Sequence, residues 1–217
     1  MKPIFTTAYF PPIAYMAQIV QYDGETITIE KKETFPKQTI RNRMQILSAN
    51  GVKTLSIPVI RNNHSRTEEI VIDYKERWNL IHWRTLKSAY AASPFFQYYQ
   101  DELETILMNK YTHLIEINER ALVWVLEKMK IKTNILYTDV FSPIIGTPTD
   151  YRQQYSSKHP NIDIKNFMAY YQVFSDRFDF QPNLSILDLL MNLGPQAKEY
   201  LFEIRKKDLF VSHETKR

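Results

Sequence analysis

The sequence contains no cysteine, which excludes disulfides, thiolate nucleophiles and cysteine-based zinc sites. Glycine is nearly as scarce. The four glycines in 217 residues form neither G-x-G-x-x-G nor G-x-x-x-x-G-K-[ST], so the dinucleotide fingerprint and the P-loop are excluded. No run approaches the ~20 uninterrupted apolar residues that a membrane helix needs. The apolar N-terminal stretch MKPIFTTAYFPPIAYMAQIVQYDG is broken by Pro11 and Pro12 and has no small-residue cleavage site, so it reads as fold rather than signal peptide. A soluble, cytoplasmic chain is the expectation. The net charge of +4 is spread over basic residues scattered among acids, and the basic stripe with stacking aromatics that nucleic-acid binding calls for is missing.

What is present is an ordinary globular mixture, 44% hydrophobic and 24% charged, enough apolar side chain to offset chain entropy in one domain over residues 1–210, with 211–217 as a frayed tail. Pro3–Phe10 reads as a strand and Ile13–Val20 as a helix opened by the Pro11-Pro12 pair. Glu25–Lys32 alternates inward Ile27 and Ile29 with outward Thr26 and Thr28. Asn50-Gly51 predicts a type I′ hairpin turn. Pairing Ala49 with Val52 would put Met44, Ile46, Leu55, Ile57 and Val59 on a core face and Arg41, Arg43, Gln45, Thr54 and Ser56 on a polar one. Pro58 places its strand at an edge.

Further strands are expected at Ile70–Asp73 and Asn134–Phe141, and helices over Trp78–Ala92 and Phe96–Lys130, the latter broken near Tyr111–His113. The Pro-rich segment Ser142–Asn161 reads as a loop long enough to cover a site, or as an irregular surface connection. Ser185 with Asp188 resembles a capping box, and Gly194-Pro195 separates two C-terminal helices. This order predicts an α/β or α+β fold in which a mixed sheet with an antiparallel hairpin is flanked by helices. If the first strand and Asn134–Phe141 are parallel neighbours, ligands collect at their carboxyl ends, where Tyr9, Phe10 and the 142–161 loop meet.

Two arginines two residues apart on a strand leave the same face with roots roughly 7 Å apart, a spacing that suits a phosphate or pyrophosphate. Arg41 and Arg43 have that spacing, and Lys37 and Gln38 lie just upstream. The structural alternative is pairing with Glu30 or Glu33. His82, among apolar neighbours, is either a satisfied core histidine or a general base. His64, His113, His159 and His213 show no metal-ligand spacing, so no metal is expected. The acid pairs Glu68-Glu69 and Asp101-Glu102 read as solvated charges, and no G-x-S-x-G elbow is present.

Taken in order, TAYFPPIAYMAQI, KQTIRNRMQI with its NG turn and LSIPV, WNLIHWRTLKSAYAASPFFQYY, YYQVF and NLSILDLLMNLGP resemble the WbqC-like family across nearly the whole chain. That resemblance implies a role in bacterial O-antigen and other surface-polysaccharide synthesis, with transfer of a glycyl or other acyl group to an amino sugar. It carries over Arg41, Asn42 and Arg43, His82, Tyr90 and the Pro94-Phe95-Phe96 run as site positions. The expectation is a group-transfer enzyme acting on an activated sugar. Arg41, Asn42, Arg43, Lys37 and Tyr9 would bind an anionic small molecule such as a sugar nucleotide, with His82 or Tyr90 near the acceptor; the cofactor is left open. A non-catalytic binding or scaffold protein of the same pathway is the alternative.

Overall fold

Ile4–Thr6 (β1) leads through Pro11-Pro12 into the helix Ile13–Ile19 (α1), whose N-cap is Pro12 in extended conformation. A proline there leaves no unpaired N–H. Strand β1 is shorter than its β-prone sequence because the Tyr9 N–H bonds the Ile40 carbonyl and Phe10 adopts a φ of 40°, which turns the chain out of the sheet. Every residue of α1 is buried, so this helix lies inside the molecule rather than on a face. Thr26–Glu30 (β2) then pairs with β1 in parallel, Ile4 opposite Thr28 and Thr6 opposite Glu30. The coordinates are a computed structural model, described for residues 2–36, 38–60, 62, 64–143, 149–155 and 162–207. The predicted tail, 211–217, lies outside the described residues.

Arg43–Ser48 (β3) and Gly51–Ser56 (β4) form the hairpin, with Ser48 opposite Gly51 and Met44 opposite Leu55. The expected pairing of Ala49 with Val52 is displaced by two residues. From Ser48 to Gly51 only Gly51 takes a positive φ, 92°, so the left-handed residue follows the turn instead of lying within it. The Ser48 hydroxyl braces the tip, donating to the Gly51 carbonyl at 2.8 Å and accepting from Asn50 N–H at 3.3 Å. A two-residue displacement preserves face parity, so Met44, Ile46 and Leu55 are buried while Gln45 and Thr54 are exposed.

Val59–Ile60 (β5) and Val71–Ile72 (β6) make a second short antiparallel pair. The helix Trp78–Tyr90 (α2) buries Trp78, His82, Leu86 and Ala89, the stripe read from the sequence. Phe96–Met108 (α3) and Leu114–Lys128 (α4) are separated at the predicted break, where Glu116 accepts from the backbone of Thr112 and His113 and caps α4. Asn134–Tyr137 (β7) pairs in parallel with β2. The resulting order β1-β2-β7 puts both outer strands beside β2 rather than beside each other. The chain is therefore α/β, and its parallel sheet and its antiparallel hairpins form separate sheets instead of one mixed sheet.

The C-terminal helices Ile186–Leu193 (α5) and Ala197–Lys206 (α6) pack on α1. Ser185 caps α5, accepting from Leu187 N–H and donating to the Phe10 carbonyl at 2.8 Å. Asp188, expected to complete a capping box, turns into the core, where Tyr170 and Gln172 donate to it at 2.6 and 2.9 Å. Burial raises the pKa of its carboxyl, against those donors.

Between α5 and α6, Gly194 has a φ of 54° and ψ of −128°, and a Cβ there would lie 2.4 Å from the Phe95 ring. Gly194→Ala combines a forbidden backbone conformation with a steric clash and should cost about 2 kcal/mol or more. Chemical denaturation reads this directly. A variant as stable as the parent would show that the α5–α6 junction does not require glycine.

Candidate functional site

Ligands of open parallel sheets bind in the crevice beyond the carboxyl ends of the strands. Here the central strand ends in an acid. Glu30, the last residue of β2, is fully buried, and its carboxylate accepts from Lys32 N–H and Thr138 Oγ1 at 2.7 Å and from Ser142 N–H at 3.0 Å. Arg152 approaches the same carboxylate at 3.5 Å and forks onto Asp150 at 2.9 and 2.6 Å. The Arg152 guanidinium also donates to the Ser142 and Pro143 carbonyls, at 2.6 and 3.1 Å. Segment 149–155 is thereby fixed to the sheet, and the bridge between Ile4 and Asp150 holds it along β1.

A second, largely buried pair lies beside the first. Arg41 donates through Nε and Nη2 to one oxygen of Glu33, at 2.9 and 2.6 Å, and Thr6 donates to the same oxygen at 2.5 Å. The remaining Arg41 nitrogen lies 3.4 Å from the Thr39 hydroxyl. Arg41 and Asn42 belong to a turn in which Asn42 N–H bonds the Thr39 carbonyl, and β3 begins only at Arg43. Strand alternation therefore does not place Arg41 and Arg43 on one open face. Arg41 is directed inward to Glu33, while Arg43 is half-buried with no carboxylate in contact among the described residues.

Arg43 lines a cavity of about 400 Å³ beyond the end of β1. Phe10 and Pro12 form one wall and Gln154 and Tyr155, on the Arg152-held segment, form another. The polar face of the hairpin contributes Gln45 and Thr54, and Asn183 and Ser185 come from the approach to α5. Gln38 and Thr39 complete the lining that matters chemically. Amides and hydroxyls surround a single guanidinium, and none of the described lining residues is an acid. Burial raises the Tyr155 pKa well above its ordinary value, so its hydroxyl stays protonated and can donate to the Ala14 carbonyl at 3.4 Å.

Of the residues named from sequence for binding or catalysis, Arg43 lines this cavity, together with Phe10 at the end of the first strand and Gln38 just upstream of the arginines. Lys37 lies outside the described residues. Asn42 is buried and donates to the Ile57 carbonyl at 3.0 Å. His82 and Tyr9 meet in the core, the Tyr9 hydroxyl 3.0 Å from His82 Nδ1, with Trp78 edge-on to the imidazole. Burial pushes the His82 pKa down to about 4. Tyr90 is buried within reach of the Asp188 charge, but its hydroxyl forms no hydrogen bond of good geometry. Gln154, Tyr155 and Asn183 were not singled out, although the polar, Pro-rich composition of 142–161 marked the segment that carries the first two.

The arrangement defines an α/β protein with a polar-lined cavity beyond the carboxyl end of β1. The chain belongs to the WbqC-like protein family, whose model matches residues 7–150 and 137–200. It is similar to the uncharacterised protein Rv1507c of Mycobacterium tuberculosis, 27% identical over 89% of this chain and 91% of that protein. No solved structure matches.

Arg41→Gln leaves the largely buried Glu33 carboxylate with Thr6 but without its guanidinium partner and should cost about 3 kcal/mol, whereas Arg43→Gln breaks no pair and should stay within about 1 kcal/mol. Equal destabilisation of the two variants, measured by urea unfolding, would refute the division between them. For His82, unfolded and folded imidazoles are both neutral above about pH 6.5; as pH falls toward 4 only the unfolded chain takes up the proton, and stability is lost over that window, by roughly 3 kcal/mol. His82→Gln lacks this term, so its stability deficit relative to the parent should shrink on acidification from pH 7 to 4.5. A constant deficit would contradict the buried neutral imidazole.

Proposed function

We propose that the cavity binds an anionic small molecule of the sugar-nucleotide kind through Arg43, and that the chain is a cytoplasmic group-transfer enzyme of surface-polysaccharide synthesis. The observation that carries the binding step is the state of Arg43: a half-buried guanidinium, its Nε shielded from solvent, with no protein acceptor among the described residues and a cavity in front of it. Desolvating a cation without a partner is unfavourable, and an anion restores the lost interactions as charge-assisted hydrogen bonds. The surrounding amides and hydroxyls can both donate and accept, which matches a hydroxyl-rich ligand. Family membership supports the pathway. Transfer of an acyl or aminoacyl group to an amino sugar is the reaction in this proposal.

A second reading, a non-catalytic ligand-binding protein of the same pathway, is favoured by a specific observation. His82 is locked against Tyr9 in the core, and Tyr90 is buried near Asp188, so neither the imidazole nor the phenol proposed for catalysis lines the cavity. Membrane attachment is not part of either reading, and no helix among the described residues is long and apolar enough to cross a membrane.

Titration calorimetry with UDP-N-acetylglucosamine tests the binding step. Arg43→Gln should weaken affinity about 10- to 100-fold, the equivalent of one charge-assisted interaction, without a matching loss of stability. Equal affinity in the variant would remove Arg43 from the site. Turnover of the bound compound with an acyl or aminoacyl donor then separates enzyme from binder.

A further inference from the structure

Five described residues other than glycine have a positive φ, and three of them, Phe10, Gln38 and Asn183, line the one cavity that contains Arg43. Left-handed backbone is strained for an L-residue with a side chain, and it persists where something in the surroundings requires it. Four of the five have a structural reason. Lys130 ends α4, where Lys130 N–H and Ile131 N–H close back onto the Glu127 and Leu126 carbonyls. His64 lies in a turn closed by Ser65 N–H on the Asn62 carbonyl. Asn183 is of a residue type that tolerates this conformation, and its side-chain oxygen accepts the Ala14 N–H at 2.9 Å. Phe10 is held by its fully buried ring and by Ser185, which donates to its carbonyl.

Among the described residues, Gln38 has no such reason. Its φ is 57°, its side chain is exposed, and that side chain makes no hydrogen bond among the described residues. Glutamine lacks the short local hydrogen bonds that ease asparagine into this region. Gln38 nevertheless lines the same cavity as Arg43, next to Thr39, whose hydroxyl lies 3.4 Å from the Arg41 guanidinium. Glycine would occupy the position at lower conformational cost, so what glutamine adds is its amide.

We propose that Gln38 is a specificity-determining residue of the cavity, its amide reading a hydroxyl or amide group that the ligand carries beside its anionic group. The inference rests on the reading of the Arg43 cavity as an anion site. A carboxamide offers a donor and an acceptor side by side, so it can accept from a sugar hydroxyl or pair with an N-acyl group. An anion lacking such a group would engage Arg43 and leave Gln38 unused.

The test uses the full chain, two probes and two variants. The probes are inorganic pyrophosphate, which offers only the anion, and UDP-N-acetylglucosamine, which adds hydroxyls and an N-acetyl group. Gln38→Gly removes both strain and amide; it should raise Tm by about 1–4 °C and weaken UDP-N-acetylglucosamine roughly three- to tenfold more than pyrophosphate. Gln38→Met keeps strain and side-chain length but loses the amide, so Tm should stay put while the same selective loss of affinity appears. Undiminished selectivity for the sugar nucleotide in either variant overturns the role of Gln38, and a lower Tm in Gln38→Gly overturns the strain argument. A parent chain that binds neither probe overturns the anion site itself and this inference with it, an outcome distinct from pyrophosphate binding with unaltered selectivity.

Discussion

Neutralising the carboxylates that crowd the ends of β1 and β2 is the constraint on which the rest of the structure depends. Glu30 is fully buried at the last position of the central strand, and Glu33 follows it closely. Buried carboxylates are tolerated only when paired and hydrogen-bonded. Arg152 and Arg41 answer that need from widely separated positions in sequence, and each brings a stretch of irregular chain with it. Arg152 joins 142–143 and 149–152 to the sheet, and Arg41 fixes the turn that leads into β3. The two walls of the cavity nearest these arginines, Gln154–Tyr155 and Thr39–Arg43, are therefore tied to the sheet by charge pairing. The same pairing commits Arg41 to Glu33 and leaves Arg43 as the guanidinium available to a ligand.

Apolar packing supports one of those walls from behind. Helix α1 is buried against α5, α6 and β1, and many of the aromatic side chains fill the interior around it. Phe5 stacks on Tyr151 at 4.7 Å, and Tyr15 meets Tyr155 at 5.1 Å while donating to the Thr6 carbonyl. These contacts run from β1 through α1 to the segment that lines the cavity. They couple its position to the core, so a polar site is supported from behind by a rigid aromatic layer. His82, Tyr9 and Tyr90 belong to this interior.

Periodicity made the helices and the burial of α2 legible in the sequence, because a stripe such as Trp78, His82, Leu86 and Ala89 depends only on residues a few positions apart. The hairpin faces were legible for the same reason, but not its register: that turned on which residue of Asn50-Gly51 would take the left-handed conformation. The pairing of Arg41 with Glu33 was visible only as an alternative, since strand alternation was assumed to extend two residues beyond the true start of β3. Asp188 illustrates the limit of local rules. Its spacing from Ser185 suits a capping box, yet Tyr170 and Gln172, distant in sequence from the cap, draw the carboxylate inward. Convergence of Gln38, Gln154 and Asn183 on one cavity is a tertiary fact with no counterpart in spacing. Family resemblance was legible because it rested on the order of several segments, whereas the residues it nominated for chemistry are divided between the cavity and the core.

The account is tested most directly by a crystal structure of the full chain grown with pyrophosphate. It predicts the anion within hydrogen-bonding distance of the Arg43 guanidinium, inside the cavity bounded by Phe10 and Tyr155, with the Arg41–Glu33 and Arg152–Asp150 pairs unchanged. An anion held by Arg41 with Glu33 displaced, or a cavity left empty while Arg43 turns to a carboxylate of the protein, would contradict it.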